Sequence, residues 1–375
     1  MSLDPPSRLL CGPGPSDVEP SVLAAMARPM LGHLDPAFHE VLDEVNELLR
    51  AVWGMPQGDV LALPSTGTSA MEAGIANLLE PGDTAIVADA GFFGRRLAAI
   101  AVRHGANVVR VAAPWGETVP NDAIVGALRR HPDARLVAVV HSETSTGALH
   151  PLRELGVELR RHDVLLMADC VTSLGGEPLA AGAWGVDYAY SCTQKCLAAP
   201  PGMAPVAISP RAWRRIHARR APVPFSLDLE LLRRYWVDRP AIYHHTTPIL
   251  GVYALHEALS RVLDEGLEPR WARHASAGVH LQAALRERGL ELLADPRRQM
   301  APLTAVRVPD GVDGKAVQTR MLADHGIEIG GGLGPDAPPI WRIGLMGRNA
   351  TVATADRVLA ALDDVLAPAP ELAVA

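Results

Sequence analysis

The sequence predicts an α/β protein, with a large domain on a mostly parallel sheet followed by a smaller α+β domain. Three observations carry this. Apolar runs of strand length alternate with longer helical patterns from about residue 60 to 170, and such alternation implies parallel strands with helices on both faces. After Pro210 the texture changes to basic and amphipathic helical patterns. Beyond Gly266, helices and strands alternate again over a shorter stretch, roughly 270–365.

The elements follow in order. Residues 1–21 are rich in Pro, Gly and Ser and read as an extended arm. Helical patterning runs over 21–50, broken at Pro29 and again at 34–36. Strands are expected at 60–63, 84–88, 108–111, 136–140 and 164–168, with a further one at 188–190. Helices are expected between them at 69–79, 94–104, 121–131 and 151–162. Next come helices at 211–220, 229–236 and 250–263, the last with Tyr253, Leu255, Leu259, Val262 and Leu263 at helical spacing. Gly266 reads as a hinge, which divides the chain into the arm (1–21), a large domain (22–265) and a small domain (266–375). The clearest strands of the small domain are 303–308 and 340–343, and the Gly-rich run 330–334 reads as a flexible turn. The last nine residues, 367–375, read as a frayed tail.

Composition narrows the function. With 375 residues and 48% apolar content, the chain can build a sizeable core. A formal charge of −7 argues against nucleic-acid binding, which needs a basic face. No apolar run approaches membrane-spanning length, and the first residues lack the basic and apolar segments of a secretory signal. The four cysteines (Cys11, Cys170, Cys192, Cys196) have no secretory pairing pattern, so a reducing, cytoplasmic setting is expected. Fourteen histidines include no H-E-x-x-H, and no metal site is expected.

The chemistry starts at Lys195, the only charged residue between Tyr188 and Ser209. A lysine in so neutral a stretch either snorkels to solvent from a strand end or is buried for use as an amine nucleophile. Upstream, the apolar run 164–168 ends on Asp169, at the strand end where open α/β sheets bind ligands. The strand at 188–190 leads towards Lys195, so two strand ends would bring a carboxylate and an amine to one crevice. That pair is either a salt bridge or the anchor of pyridoxal phosphate, with lysine bound to the aldehyde and aspartate facing the pyridine nitrogen. A phosphate seat is offered by Pro64-Ser65-Thr66-Gly67-Thr68-Ser69, where a strand runs into a hydroxyl-rich turn and a helix start.

Taken together, the motifs resemble the class V aminotransferases of fold type I, and within them the alanine–glyoxylate and serine–pyruvate group. The resemblance rests on G-P-G-P-S at 12–16, G-H-L-D-P-A-F at 32–38, L-L-E-P-G-D at 78–83 and H-S-E-T-S-T-G at 141–147. It continues through D-C-V-T-S-L-G-G at 169–176, Q-K-C-L-A-A-P-P-G at 194–202, Y-H-H-T at 243–246 and W-R-I-G-L-M-G at 341–347. It implies pyridoxal 5'-phosphate as cofactor, with Lys195 as the catalytic amine and Asp169 at the ring nitrogen. Thr66, Gly67, Thr68 and Gln194 would hold the phosphate, Thr144 the ring hydroxyl, and Phe93 would stack on the ring. Arg342 would clamp the substrate carboxylate, with Gly14 lining that pocket. Tyr243 and Thr246 would reach the phosphate in a neighbouring subunit, which implies a homodimer with shared sites.

Departures lie beside these positions. Ser191-Cys192-Thr193 is bulkier than the Ser-Gly-Ser frequent in relatives, and Phe225-Ser226 stand where Trp-Tyr is often found. The implied reaction is amino transfer from alanine or serine to glyoxylate or pyruvate by a ping-pong route. Ureidoglycine–glyoxylate transfer is the sister alternative. A lyase or desulfurase is disfavoured because every cysteine lies at or before position 196. A non-catalytic binding module on the same fold is disfavoured by the presence of Lys195, Asp169 and Arg342.

Overall fold

The computed structural model of the chain describes residues 3–367; most of the C-terminal tail lies outside the described residues. The described chain begins with β1 (Leu9–Leu10), followed by α1 (Pro20–Met26), α2 (Pro36–Trp53), β2 (Asp59–Leu63) and α3 (Gly67–Leu78). Then come β3 (Thr84–Asp89), α4 (Phe92–Arg103), β4 (Asn107–Ala112), α5 (Asn121–Arg130) and β5 (Leu136–Val140). A small hairpin, β6 (Ser142–Glu143) and β7 (Ala148–Leu149), precedes α6 (Leu152–Leu159), β8 (Leu165–Asp169), α7 (Ala181–Trp184) and β9 (Tyr188–Tyr190). β10 (Ala204–Ile208), α8 (Pro210–His217), α9 (Leu229–Trp236) and α10 (Ile249–Glu265) complete this part. The remainder is α11 (Leu267–Glu287), β11 (Leu303–Arg307), α12 (Gly314–His325), β12 (Ile327–Glu328), β13 (Gly330–Gly331), β14 (Ile340–Gly344) and α13 (Val352–Leu366).

The central sheet has seven strands in the order β2-β10-β9-β8-β5-β3-β4. Only β10 runs against its neighbours, so the carboxyl ends of the other six share one edge. β10 lies inside the proline- and glycine-punctuated stretch after Lys195, whose composition concealed a strand. β5 and β8 are buried throughout, as strands covered by helices on both faces must be.

Local chemistry sets the helix limits. Asp35 caps α2 by accepting from the Ala37 amide, and Pro36 occupies the first turn, where its missing N–H costs nothing. Ser209 with Pro210 repeats the device at α8, which is why that helix starts ahead of the basic run. Gly266 separates α10 from α11.

Two hydrophobic cores result. One surrounds the seven-stranded sheet and draws on buried residues from Phe38 to Val262. The other packs α11, α12 and α13 on Trp341 and Ile343 of β14, and takes in Cys11 from the arm. The arm is therefore not merely extended: β1 pairs in parallel with β12, and the Ser16 amide donates to Gln194 O at 2.9 Å. Nor is the glycine run simply a turn, because Gly330–Gly331 forms β13 and pairs with Arg342 and Trp341. Glycine tolerates this because β13 packs closely on Pro13 and Gln318, leaving no room for a side chain. Among the described residues, no helix is long and apolar enough to cross a membrane.

Candidate active site

β8 ends on Asp169 and β9 on Tyr190, which pair directly in register. Asp169 is 2% exposed. Its Oδ1 accepts from the Val171 amide at 2.9 Å and its Oδ2 from the Tyr190 hydroxyl at 2.7 Å. Burial pushes its carboxyl up to about 6, against the pull of these two hydrogen bonds, while the nearby charge of Glu143 adds to the rise and that of Lys195 opposes it. Both of its hydrogen-bond partners are neutral, and a pyridinium would supply a cation in contact.

Lys195 sits in the segment after β9. Burial lowers its amine, the direction that frees a lone pair. Its Nζ donates to Pro13 O; among the described residues it forms no salt bridge with Asp169, although the two lie close enough for their charges to act on each other. Gly14 adopts φ +108°, and a Cβ there would come within 2.6 Å of Lys195 Cδ, so only glycine lets the arm cross the lysine. Ser16 Oγ then donates to Lys195 O at 2.7 Å, fixing the lysine's own backbone to the arm.

β2 delivers the hydroxyl-rich turn to the same edge. Thr66 is the N-cap of α3, its Oγ1 accepting from the Ser69 amide at 3.3 Å. The Gly67 and Thr68 amides that follow belong to the first helical turn, which has no intrahelical acceptors, so they are available to an anion. Gly67 is buried, and a Cβ there would press on Val171 Cγ2 at 3.1 Å. Thr66 and Thr68 are exposed, and Thr68 Oγ1 accepts from Arg96 Nη1 at 3.0 Å. Gln194 has a buried Oε1 without a partner. These features fit pyridoxal phosphate: a dianion seat, an amine and a ring-nitrogen carboxylate at neighbouring strand ends.

The opposite wall comes from α4, the β6–β7 hairpin and β14. Phe93 lies in the first turn of α4, partly buried, with the Arg96 guanidinium 5.1 Å from its ring centre. Thr144 is buried, and its carbonyl accepts from Arg342 Nη1 at 3.3 Å. Arg342 Nε donates to Gly331 O at 2.6 Å. Strand alternation left Arg342 either inside or on the surface; it is buried, on the face of β14 opposite the Trp341–Ile343 core. Burial lowers its guanidinium to about 10, and the charge of Glu143 works in the other direction.

Tyr243 and Thr246 stand apart. Both are exposed, Tyr243 at 57%, with its ring 5.3 Å from that of His33. No hydrogen bond joins either to the Lys195–Asp169 crevice within the chain.

Three residues at the site escaped the sequence reading. Tyr190 was legible only as the end of an apolar strand. Arg96 looked like one of several helix-surface arginines. Glu143 carried a usable signal: a single acid in the neutral, hydroxyl-rich stretch after β5, the same anomaly that marks Lys195. A groove of about 1260 Å³ lined by Arg50, Arg160 and Arg211 contains none of the site residues. It lies where β2 begins and β10 ends, at the other edge of the sheet, so size does not locate the chemistry here. No cluster of His, Cys, Asp or Glu among the described residues could hold a metal ion.

The family model described as Aminotransferase class-V matches residues 20–344. The alanine–glyoxylate aminotransferase of Oryctolagus cuniculus is 38% identical over 365 residues, covering 96% of this chain and 93% of the relative. The (S)-ureidoglycine–glyoxylate transaminase of Bacillus subtilis is 36% identical over 380 residues, covering 96% and 91%. Among solved structures, an alanine–glyoxylate aminotransferase from Nostoc sp. has a TM-score of 0.95 at 47% identity, covering 98% of this chain and 97% of that one.

Proposed function

The chain belongs to the class V aminotransferases, whose cofactor is pyridoxal phosphate, and we propose that it moves an amino group from alanine or serine to glyoxylate or pyruvate. The observation that supports this reading best is that Lys195, buried Asp169 and buried Arg342 lie close enough for the charges of the other two to act on the lysine. When bound, pyridoxal phosphate supplies an electron sink for negative charge at the substrate α-carbon.

The chain's own groups do the rest. Asp169, held by Tyr190 and Val171, presents a fixed negative charge to the ring nitrogen, and low local polarity strengthens that interaction. Thr66, Gly67, Thr68 and Gln194 bind the phosphate, and Thr144 and Phe93 fix the ring. Lys195 Nζ takes the α-proton and returns it, a role suited to an amine whose affinity for protons is lowered by burial. Arg342 has two of its nitrogens tied to backbone carbonyls, which aims the guanidinium, while Nη2 makes no hydrogen bond among the described residues and is free for a carboxylate. Donor and acceptor use the same crevice in turn, so the route is ping-pong. Tyr243 and Thr246 serve a second copy's phosphate in a homodimer.

Ureidoglycine as amino donor is the second reading. It is favoured by the Bacillus subtilis relative, whose ureidoglycine–glyoxylate aminotransferase structure has a TM-score of 0.94 at 38% identity. The test is the visible absorption spectrum of the purified protein. Bleaching by L-alanine or L-serine, reversed by glyoxylate, is the expected result. A cofactor band that ureidoglycine bleaches and neither amino acid changes would replace the proposed donors.

A further inference from the structure

Glu143 is 2% exposed, yet every group around its carboxylate is a donor. Oε2 accepts from the Phe93 and Gly94 amides at 3.1 and 3.3 Å. Oε1 accepts from the Ser145 amide at 3.1 Å and the Ser145 hydroxyl at 2.6 Å. Ser145 Oγ in turn accepts from the Phe92 amide at 3.0 Å. These are the open amides at the start of α4, whose N-cap is Gly91 and offers no side chain. Gly91 has to be glycine, because a Cβ there would fall 2.7 Å from Glu143 Cγ. The helix is thus capped from another element by a buried carboxylate. The next residue, Thr144, accepts from Arg342, and the Glu143 charge favours the protonated guanidinium.

We propose that Glu143 is a positioning residue that sets the Phe93 ring and the Arg342 guanidinium at a fixed spacing along one wall of the crevice. The inference rests on the aminotransferase reading, because the two groups it spaces are the ring support and the carboxylate clamp. A carboxylate suits the post because both of its oxygens accept. Glutamine can satisfy one donor pair only, and its NH₂ would confront the other. Burial pushes the carboxyl up, while the Ser145, Gly94 and Phe93 donors pull it back.

The test is Glu143→Gln, with Ser145→Ala as the milder variant should the first fold poorly. In cofactor-free protein, amide exchange over residues 91–96 is expected to quicken roughly tenfold, the loss of one charge-assisted hydrogen bond. In holoenzyme, the visible circular dichroism of bound pyridoxal phosphate is expected to fall at least about twofold. KM for L-alanine is expected to rise about tenfold, with kcat changed less. Ser145→Ala should move each readout the same way by a smaller factor. Unchanged exchange, or faster exchange with unchanged dichroism and KM, would overturn the proposal. Wild-type protein that takes up no pyridoxal phosphate would count against the aminotransferase reading itself, a failure separable from the first because it appears before any substitution.

Discussion

The crevice around Asp169 and Lys195 and the strip around Tyr243 and Thr246 are unfinished in opposite ways. In the crevice, packing is complete: Asp169, Tyr190 and Thr144 are buried, and the arm crosses Lys195 at Gly14 with no space to spare. What the crevice lacks is a cation in direct contact with Asp169, whose hydrogen-bond partners are both neutral donors. In the strip, Ile242 is 56% and Tyr243 57% exposed, so the lack is steric. A small cofactor with a cationic ring nitrogen would complete the first region; a surface of comparable size would complete the second. Burial of a polar group therefore points to a ligand, and exposure of a large apolar one to a partner.

The largest effect expected is at the crevice. Lys195→Ala should lose the characteristic visible band and lower turnover on the order of 10⁴-fold, as the nucleophile and proton carrier are removed together. Retention of full turnover would remove the crevice from the chemistry altogether.

A second substitution isolates the Asp169 charge. The Asp169 carboxyl is held at about 6 in the folded protein against an ordinary 3.8. Folding therefore favours the protonated form, and cofactor-free protein loses stability as pH rises between those values. The loss is about 3 kcal/mol and is complete above pH 6. Asparagine carries no such cost, and Tyr190 can turn its hydroxyl to accept from the new NH₂. Cofactor-free Asp169→Asn should therefore exceed wild type by up to about 3 kcal/mol in urea unfolding at pH 8, and match it near pH 3. Its holoenzyme should turn over about 10²-fold more slowly, because the ring nitrogen loses its counter-charge. Equal stability at pH 8 would mean that groups within the chain already offset the cost of burying the Asp169 charge.

The same contrast explains what the sequence revealed. Lys195, Asp169 and the Thr66 turn each break a local pattern: a charge in a neutral run, an acid closing an apolar strand, hydroxyls before a helix. Such anomalies are visible without tertiary information. Tyr190 is not anomalous, since an aromatic residue at a strand end is ordinary, and only pairing with β8 turns its hydroxyl to Asp169. β10 was missed for the converse reason: prolines and glycines before it suggested a loop, yet it lies between two strands, with Pro205 just outside the register paired with β9. Arg342 was undecided by alternation because β14 is covered on both sides, a property of the assembled domains rather than of the strand. Glu143 was quoted as part of a motif without a role, since its partners lie some fifty residues away on α4.

Tyr243 provides the smallest effect and the sharpest test of the comparison. Tyr243→Ala alone should weaken pyridoxal phosphate binding only about tenfold, the scale of one hydrogen bond to a charged group. Pairing it with Lys195→Ala asks a different question. If each site takes Lys195 from one subunit and Tyr243 from the other, a mixed dimer of the two variants contains one site with both residues intact and one with neither. Random exchange between equal amounts gives half mixed dimers, so activity at limiting cofactor should recover to roughly a quarter of wild type in a symmetric dimer. If Tyr243 serves its own subunit, every site in the mixture carries one of the two lesions and mixing adds nothing. Size-exclusion chromatography before and after mixing separates absence of recovery from absence of exchange. Recovery would make the exposed strip the missing wall of a neighbour's crevice; no recovery, with exchange demonstrated, would leave its exposure to some surface other than the active site.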